Sequence, residues 1–433
     1  MKQILLSLLL AQIAVSVFAS EQFQSKPDDP YFAKFNPRKA PRPSGLLLKK
    51  GDRLAICGDS ITEQKMYSRI METYLTVCVP ELGITVRQYG WSGERAPGFL
   101  ARMTNDCLRF KPTVATTCYG MNDHEYRPYE ERIGQTYREK STEIVESFKT
   151  HGVRVIQGSP GCVGKMPGWV NGASGTIEDL NLNLCNLRNI GIEIVEAEKV
   201  GFADVFWPML TAGFEARKQY GADYAIAGKD GVHPGWAGQL VMATAFLKGL
   251  GLDGEIGTFT VDLAHHQATV SQGHELISFK DGELQITSRR YPFCATGELN
   301  SDTSIRSGMS LVPFNQDLNR LMLVVKNGTA KNYKVTWGNG TKTYSTEQLS
   351  KGVNLADDFP TNPFSDAFNK VDAAVAAKQA YETREIKDLI HGPEGKTDMD
   401  LTVKLAEEVR APLARAIAGA FTPVTHMIRI EAE

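Results

Sequence analysis

From residue 51 to about 250, short apolar runs alternate with longer stretches whose apolar positions recur at helical spacing. The runs at 53–57, 84–89, 113–119, 153–157 and 203–206 predict strands. The stretches at 64–79, 97–110, 127–151, 177–200 and 236–250 predict helices. Such alternation gives right-handed crossovers and a parallel sheet covered on both faces. Ligands bind at the carboxyl ends of the strands of such a sheet. After about residue 258 the texture changes. Residues 276–286 form two alternating runs around Asp281-Gly282, and Asn327-Gly328 and Asn339-Gly340 punctuate residues 321–344. These dipeptides favour type I′ hairpin turns, which need positive φ at both central residues. An antiparallel β-module is therefore expected over residues 260–350, followed by helices at 363–391 and 398–419 and a last strand at 426–430. In the second of those helices Leu401, Leu405, Val409, Leu413 and Ile417 recur at helical spacing.

The first 19 residues are patterned differently. Lys2 precedes an almost wholly apolar run over 4–18, and Val17 and Ala19 sit at −3 and −1 of a cleavage site after Ala19. This reads as a secretory leader; the run is short for the roughly 20 residues of a spanning helix. The mature chain is expected to begin near Ser20 and to be secreted or periplasmic, with no membrane span once the leader is removed. Residues 20–50, rich in Pro and Lys, read as a surface arm. Residues 51–257 form the α/β domain, and 258–433 a β-rich accessory module with helices.

Composition narrows the classes. Of 433 residues, 42% are hydrophobic and 23% charged, which excludes a wholly disordered or collagen-like chain. The net charge of −2 supplies no basic field, so nucleic acid is not an expected partner. Seven cysteines without a CxxC pair make neither a disulfide framework nor a zinc ribbon. Most should be buried and reduced, with at most one bridge.

Four short segments carry candidate chemistry. Gly58-Asp59-Ser60 ends the first strand and puts a hydroxyl at the start of a helix, where free N–H groups favour a developing oxyanion. By itself this tripeptide reads more readily as a helix N-cap. Asp230-Gly231-Val232-His233 lets a carboxylate and an imidazole meet across a turn, which fixes the tautomer and leaves Nε2 free to take a proton from a serine. Asn122, after the third strand, can offer its amide to an oxyanion. Gly93, after the second, allows close backbone approach. A metal site at His265 and His266 is an alternative; neighbouring side chains in an extended stretch point apart, and no carboxylate–histidine cluster accompanies them.

In their order and spacing these segments resemble the GDSL or SGNH hydrolases, from about residue 54 to 250. Gly58-Asp59-Ser60-Ile61-Thr62 resembles the first block, Gly93 the second, Gly120-Met121-Asn122-Asp123 the third, and Asp230-Gly231-Val232-His233-Pro234 the last. The resemblance implies a flavodoxin-like three-layer α/β fold and ester hydrolysis without metal or organic cofactor. It implies Ser60 as nucleophile, His233 as base and then acid, and Asp230 as its orienting carboxylate. The oxyanion hole would be the Ser60 N–H, the Gly93 N–H and the Asn122 side chain. Two departures stand out. Ile61 replaces the leucine of the first block, and no asparagine precedes Gly93.

Aromatics flank these segments. Trp91, Tyr119 and Trp236 are the candidate substrate contacts, with His124, Tyr126 and Trp169 nearby; Trp169 lies in a Gly- and Pro-rich loop over 159–175. Flat apolar faces suit sugar rings. With the leader and the near-neutral charge, they favour removal of O-acetyl or other short acyl groups from carbohydrate, the partner being a small-molecule or polysaccharide ester. A lysophospholipase, a thioesterase, a broad arylesterase, or a non-catalytic glycan-binding protein on the same scaffold are the alternatives. Asn327 and Asn339 each open a glycosylation triplet, which the expected hairpin turns explain without a sugar.

Overall fold

Five short parallel strands organise the first half: β1 (Arg53–Gly58), β2 (Thr85–Gly90), β3 (Val114–Cys118), β4 (Arg154–Gly158) and β5 (Gly201–Ala203). The structure, a computed structural model, describes residues 22–433; the expected leader lies outside the described residues. The strand order is β2-β1-β3-β4-β5, the flavodoxin-like α/β arrangement. Alternate residues of β1 enter different cores. Leu54 and Ile56 join Met71, Leu240 and Phe246 on one face; Ala55 and Cys57 join Phe99, Ile133 and Phe148 on the other. Burial on both faces is why these strands read as continuous apolar runs. Gly58 is level with Gly90 and Cys118, and Cys118 with Gly158, so the loops after β1, β2 and β3 open on one edge. That edge is the topological switch point, where the chain leaves β1 for β2 on one side and β3 on the other.

Local departures from the sequence pattern have physical causes. The helix expected at 64–79 is a turn, Ser60–Glu63, and a separate helix, Tyr67–Val77; the break is at Lys65, whose φ is +58°. The apolar run at 203–206 is not mainly strand. It continues into the helix Phe206–Tyr220, with Phe206, Trp207, Met209 and Leu210 buried. A short apolar run does not separate a buried helix from a strand. The arm is not wholly superficial either: Phe32 and Phe35 are fully buried and pack on Trp207. All seven cysteines are buried and unbridged, and Cys57 and Cys107 are the two that meet, with sulfurs 4.0 Å apart.

The second half contains two further sheets. One has the order β13-β10-β6-β7, from β6 (Glu255–Asp262), β7 (Gln267–Val270), β10 (Arg320–Lys326) and β13 (Val353–Asn354). The other is β12-β11-β14-β9-β8, from β8 (His274–Lys280), β9 (Glu283–Ser288), β11 (Asn332–Trp337), β12 (Gly340–Ser345) and β14 (Val424–Ala432). Asp281-Gly282 makes the expected hairpin, with φ of +51° and +80°. Asn327-Gly328 does not: β10 pairs with β6 and β13, β11 with β12 and β14, so this segment crosses between sheets. The third hairpin turns on Gly338-Asn339, since Trp337 pairs with Gly340. The module is not purely antiparallel, because β10 runs parallel to β6.

The two halves meet along β2, an edge strand of the first sheet. Helices Ser365–Arg384 and Met399–Ala420 cover it. Edge strands leave backbone groups unpaired, and here side chains satisfy them. The Val86 carbonyl accepts from Lys378 Nζ at 2.5 Å and Arg410 Nη2 at 3.0 Å, and the Gln88 N–H donates to Glu382 Oε2 at 3.3 Å. In the second helix Leu401, Leu405 and Val409 are exposed, while Thr402 and Ala406 of the adjoining face are buried.

A buried polar chain ties the two small sheets together. Trp337 Nε1 donates to His426 Nδ1 at 3.1 Å, so His426 Nε2 carries the proton and donates to Ser288 Oγ at 3.0 Å. Ser288 in turn donates to His274 Nδ1 at 2.7 Å, and His274 Nε2 donates to the Ile256 carbonyl at 3.1 Å. Each group is satisfied only while both histidines are neutral. Burial, reinforced by His274, pushes His426 down to about 3. The unfolded chain then binds a proton that the folded chain refuses, so this contribution is complete above pH 6.5 and is lost as pH falls toward 3. The stability advantage of the wild type over His426→Gln should be largest at pH 7. It should shrink below pH 6.5 by up to about 1.4 kcal/mol per pH unit. Urea melts at pH 7, 6, 5 and 4 check this; a constant difference would contradict it.

Candidate active site

The turn after β1 decides what Ser60 does. Asp59, not Ser60, caps it: the Asp59 carboxylate accepts from the Ile61 N–H at 3.0 Å. A Cβ on Gly58 would lie 2.1 Å from Thr62 Oγ1, and one on Gly90 would lie 2.1 Å from the Glu63 nitrogen. Bare glycines at the two strand ends therefore let this turn sit down on the sheet. Ser60 Oγ is left free of capping duty and lies 2.8 Å from His233 Nε2.

His233 is held from its other side. Its Nδ1 lies 2.6 Å from Asp230 Oδ2, and Asp230 Oδ1 accepts from the Val232 and His233 N–H groups at 3.0 and 2.9 Å. Burial opposes charge on Asp230, but these donors outweigh it and hold the carboxyl below its ordinary range. A charged carboxylate at Nδ1 sets the tautomer: Nδ1 carries the proton, and Nε2 accepts from Ser60.

Asn122 and Gly93 lie on the loops after β3 and β2. Asn122 Nδ2 donates to the Glu94 carbonyl at 3.0 Å, and its Oδ1 accepts from Tyr126 OH at 3.0 Å. The pair of contacts fixes the amide's orientation, since flipping it would face two acceptors; the second amide N–H is spare. Gly93 has φ +73°, which only glycine adopts without strain. Its neighbour Glu94 is buried and is the hub of this floor. Its carboxylate accepts from Arg102 at 2.6 and 2.7 Å and from Tyr119 OH at 2.9 Å. Beneath the site Asp123 accepts from the Ala96 and Gly120 N–H groups, both at 2.9 Å. Burial pushes Asp59 up to about 7 and Asp123 up to about 6.

The structure brings Ser60, His233 and Asp230 into one hydrogen-bonded line. The expected substrate contacts are placed otherwise. Tyr119 is buried and serves Glu94 from below. Trp91 is half-buried and packs against Arg102, Lys387 and His391. Trp236 opens the helix Trp236–Gly249, and its ring faces Arg69. Two aromatic rings do reach the site, Tyr126 through Asn122 and Trp169 through His233. Trp169 is 52% exposed, with its centroid 5.6 Å from the His233 ring and 5.9 Å from that of Tyr126. Among the described residues no group of three or more His, Cys, Asp and Glu converges as a metal site. His265 is exposed and pairs with Asp262.

A serine–histidine–carboxylate line puts a nucleophile, its base and the carboxylate that orients the base in one place. The family comparison agrees with that chemistry. The GDSL-like lipase/acylhydrolase family matches residues 56–241. No curated protein sequence matches the chain. Among solved structures, a gut microbial diltiazem-metabolizing enzyme is similar over 91% of this chain and 100% of its own, at 21% identity and a TM-score of 0.69. An acetylxylan esterase from Geobacillus stearothermophilus matches 48% of this chain and 97% of its own, at 22% identity and a TM-score of 0.39. A protein from Parabacteroides merdae described as a GDSL-like lipase matches 48% of this chain and 99% of its own, at 20% identity and a TM-score of 0.40. Residues 56–241 therefore form a domain like those of the GDSL/SGNH hydrolases, and the site they carry is that of a serine ester hydrolase.

Proposed function

We propose that the protein removes acetyl or other short acyl groups from carbohydrate by a double displacement at Ser60. The Ser60 hydroxyl attacks the ester carbonyl while His233 Nε2 takes its proton. The Ser60 and Gly93 N–H groups and the spare N–H of Asn122 receive the oxyanion. His233 then returns the proton to the leaving sugar oxygen, and water repeats the sequence on the acyl-enzyme. Asp230 keeps the imidazole oriented and stabilises it when charged.

The observation that carries the carbohydrate reading is Trp169. An exposed indole beside the general base offers a flat apolar face for the ring that bears the ester. The leader pattern supports export, where acylated polysaccharides are met. The test compares acetate release from acetylated xylan and acetylated chitosan with hydrolysis of p-nitrophenyl acetate, butyrate and octanoate. Acetate release from a glycan and a steep fall with acyl length are expected. Trp169→Ala should raise KM for the acetylated glycan about tenfold and leave kcat for p-nitrophenyl acetate within about twofold. Preference for octanoate with no acetate released from any glycan would overturn the carbohydrate reading and leave a broad esterase.

A further inference from the structure

The loop that presents Gly93 is held on two sides, and one of them belongs to the C-terminal half. Glu63 ends the turn that begins at Ser60. Its Oε2 accepts from the Ser92 N–H at 2.5 Å, and its Oε1 accepts from Lys387 Nζ at 2.8 Å. Lys387 lies in a π-helical turn, Glu385–Ile390, that continues the helix Ser365–Arg384. The same Lys387 ammonium sits 5.2 Å from the ring of Trp91, two residues before Gly93. His391, one residue after that turn, stacks edge-on against Trp91 at 4.9 Å and bonds Asp106 at 2.8 and 2.9 Å.

We infer that Lys387 is a positioning residue for ester hydrolysis: through Glu63 and Ser92 it fixes the Gly93 peptide as an oxyanion donor, so the C-terminal half completes the active site. The inference rests on the proposed role of Gly93. Glu63 is the link that makes it more than packing. One carboxylate joins the turn carrying Ser60 to the loop carrying Gly93, and Lys387 on its other oxygen helps hold it toward Ser92. Without Lys387 that carboxylate is a half-buried charge with one partner, free to turn toward water. Burial alone would raise Glu63, and Lys387 and Ser92 together hold it below its ordinary range. The Glu94 N–H closes a turn onto the Trp91 carbonyl at 3.2 Å, with Ser92 and Gly93 as its two central residues, and Glu63 holds that turn through the first of them. Trp91, held between Arg102 and Lys387, is the second restraint. Losing an oxyanion donor outright costs about 100- to 1,000-fold; loosening one should cost less.

The test uses the full chain with Lys387→Met, Lys387→Arg, Glu63→Gln and the Glu63→Gln/Lys387→Met double variant, with Ser60→Ala alongside. Lys387→Met is expected to lower kcat for p-nitrophenyl acetate about tenfold with KM within about twofold. It should weaken inhibition by phenylboronic acid, whose serine adduct mimics the tetrahedral intermediate, by the same factor. Lys387→Arg should recover most of both, and the double variant should be no worse than the poorer single variant. A merely structural role would lower the melting temperature without moving kcat and the boronate constant together. The inference is overturned if Lys387→Met keeps wild-type kcat, or loses kcat with boronate inhibition unchanged. Activity that survives Ser60→Ala would instead overturn the reading beneath it, which separates the two failures.

Discussion

Replacing Ser60 with alanine is expected to lower kcat for p-nitrophenyl acetate by at least about a thousandfold, with the melting temperature unchanged within about 2 °C. The two halves of this expectation come from the same turn. Asp59 supplies the cap, so the fold does not depend on the Ser60 hydroxyl. Among the described residues the one side-chain partner of that hydroxyl is His233 Nε2, 2.8 Å away. Removing it leaves His233, Asp230 and the proposed oxyanion donors in place with no nucleophile for them to serve. What remains is the modest help of the proposed oxyanion donors acting on water. A variant that melts with the wild type and keeps more than about a tenth of its activity would contradict the assignment.

The second large effect is on stability. Lys378→Met is expected to destabilise the protein by about 3–5 kcal/mol, the range for removing one partner of a buried ion pair. Lys378 is 1% exposed and bonds Glu72 and Glu382 at 2.9 and 2.8 Å, besides the Val86 carbonyl at 2.5 Å. Burial pushes Glu72 up; burial also opposes charge on Glu382, but Lys378, Arg410 and Arg87 outweigh it and hold that group low. Methionine fills much of the space yet leaves two buried carboxyls sharing one neighbourhood and an edge-strand carbonyl short of a donor. Urea unfolding at pH 7 measures the loss. Adding Glu72→Gln should recover part of it, because one of the stranded charges is then gone. A loss below about 1 kcal/mol would mean that the C-terminal helices hold β2 by apolar packing alone.

The site was legible in the sequence where its chemistry is local. Asp230 and His233 meet across one tight turn, and Gly58-Asp59-Ser60 and Gly120-Met121-Asn122 each follow a strand whose apolar run is plain. The parallel sheet follows from the same runs, and its flavodoxin-like order was implied by the family resemblance. What was not legible depends on partners distant in the chain. Nothing in the spacing of Glu94 points to Arg102 and Tyr119 as its ligands, and nothing in the helical stretch 363–391 points to β2, Glu63 or Trp91. Trp91 and Tyr119 read as substrate contacts because aromatic residues beside a motif look alike, whether they face the cleft or the protein. The exposed Trp169 was the more informative ring, and its loop carries no periodicity by which to rank it. Asn327-Gly328 misled because the dipeptide favours a local backbone conformation, while the pairing of β10 with β6 was decided by the packing of two sheets.

The central claim is that Ser60 is the activated nucleophile. The most direct measurement is covalent labelling with a fluorophosphonate, followed by peptide mapping by mass spectrometry. A single adduct on Ser60 is predicted, with its rate falling at least about a hundredfold in His233→Ala, since the hydroxyl reacts only when His233 takes its proton. An adduct on another residue, or labelling of Ser60 at the same rate without His233, would contradict it.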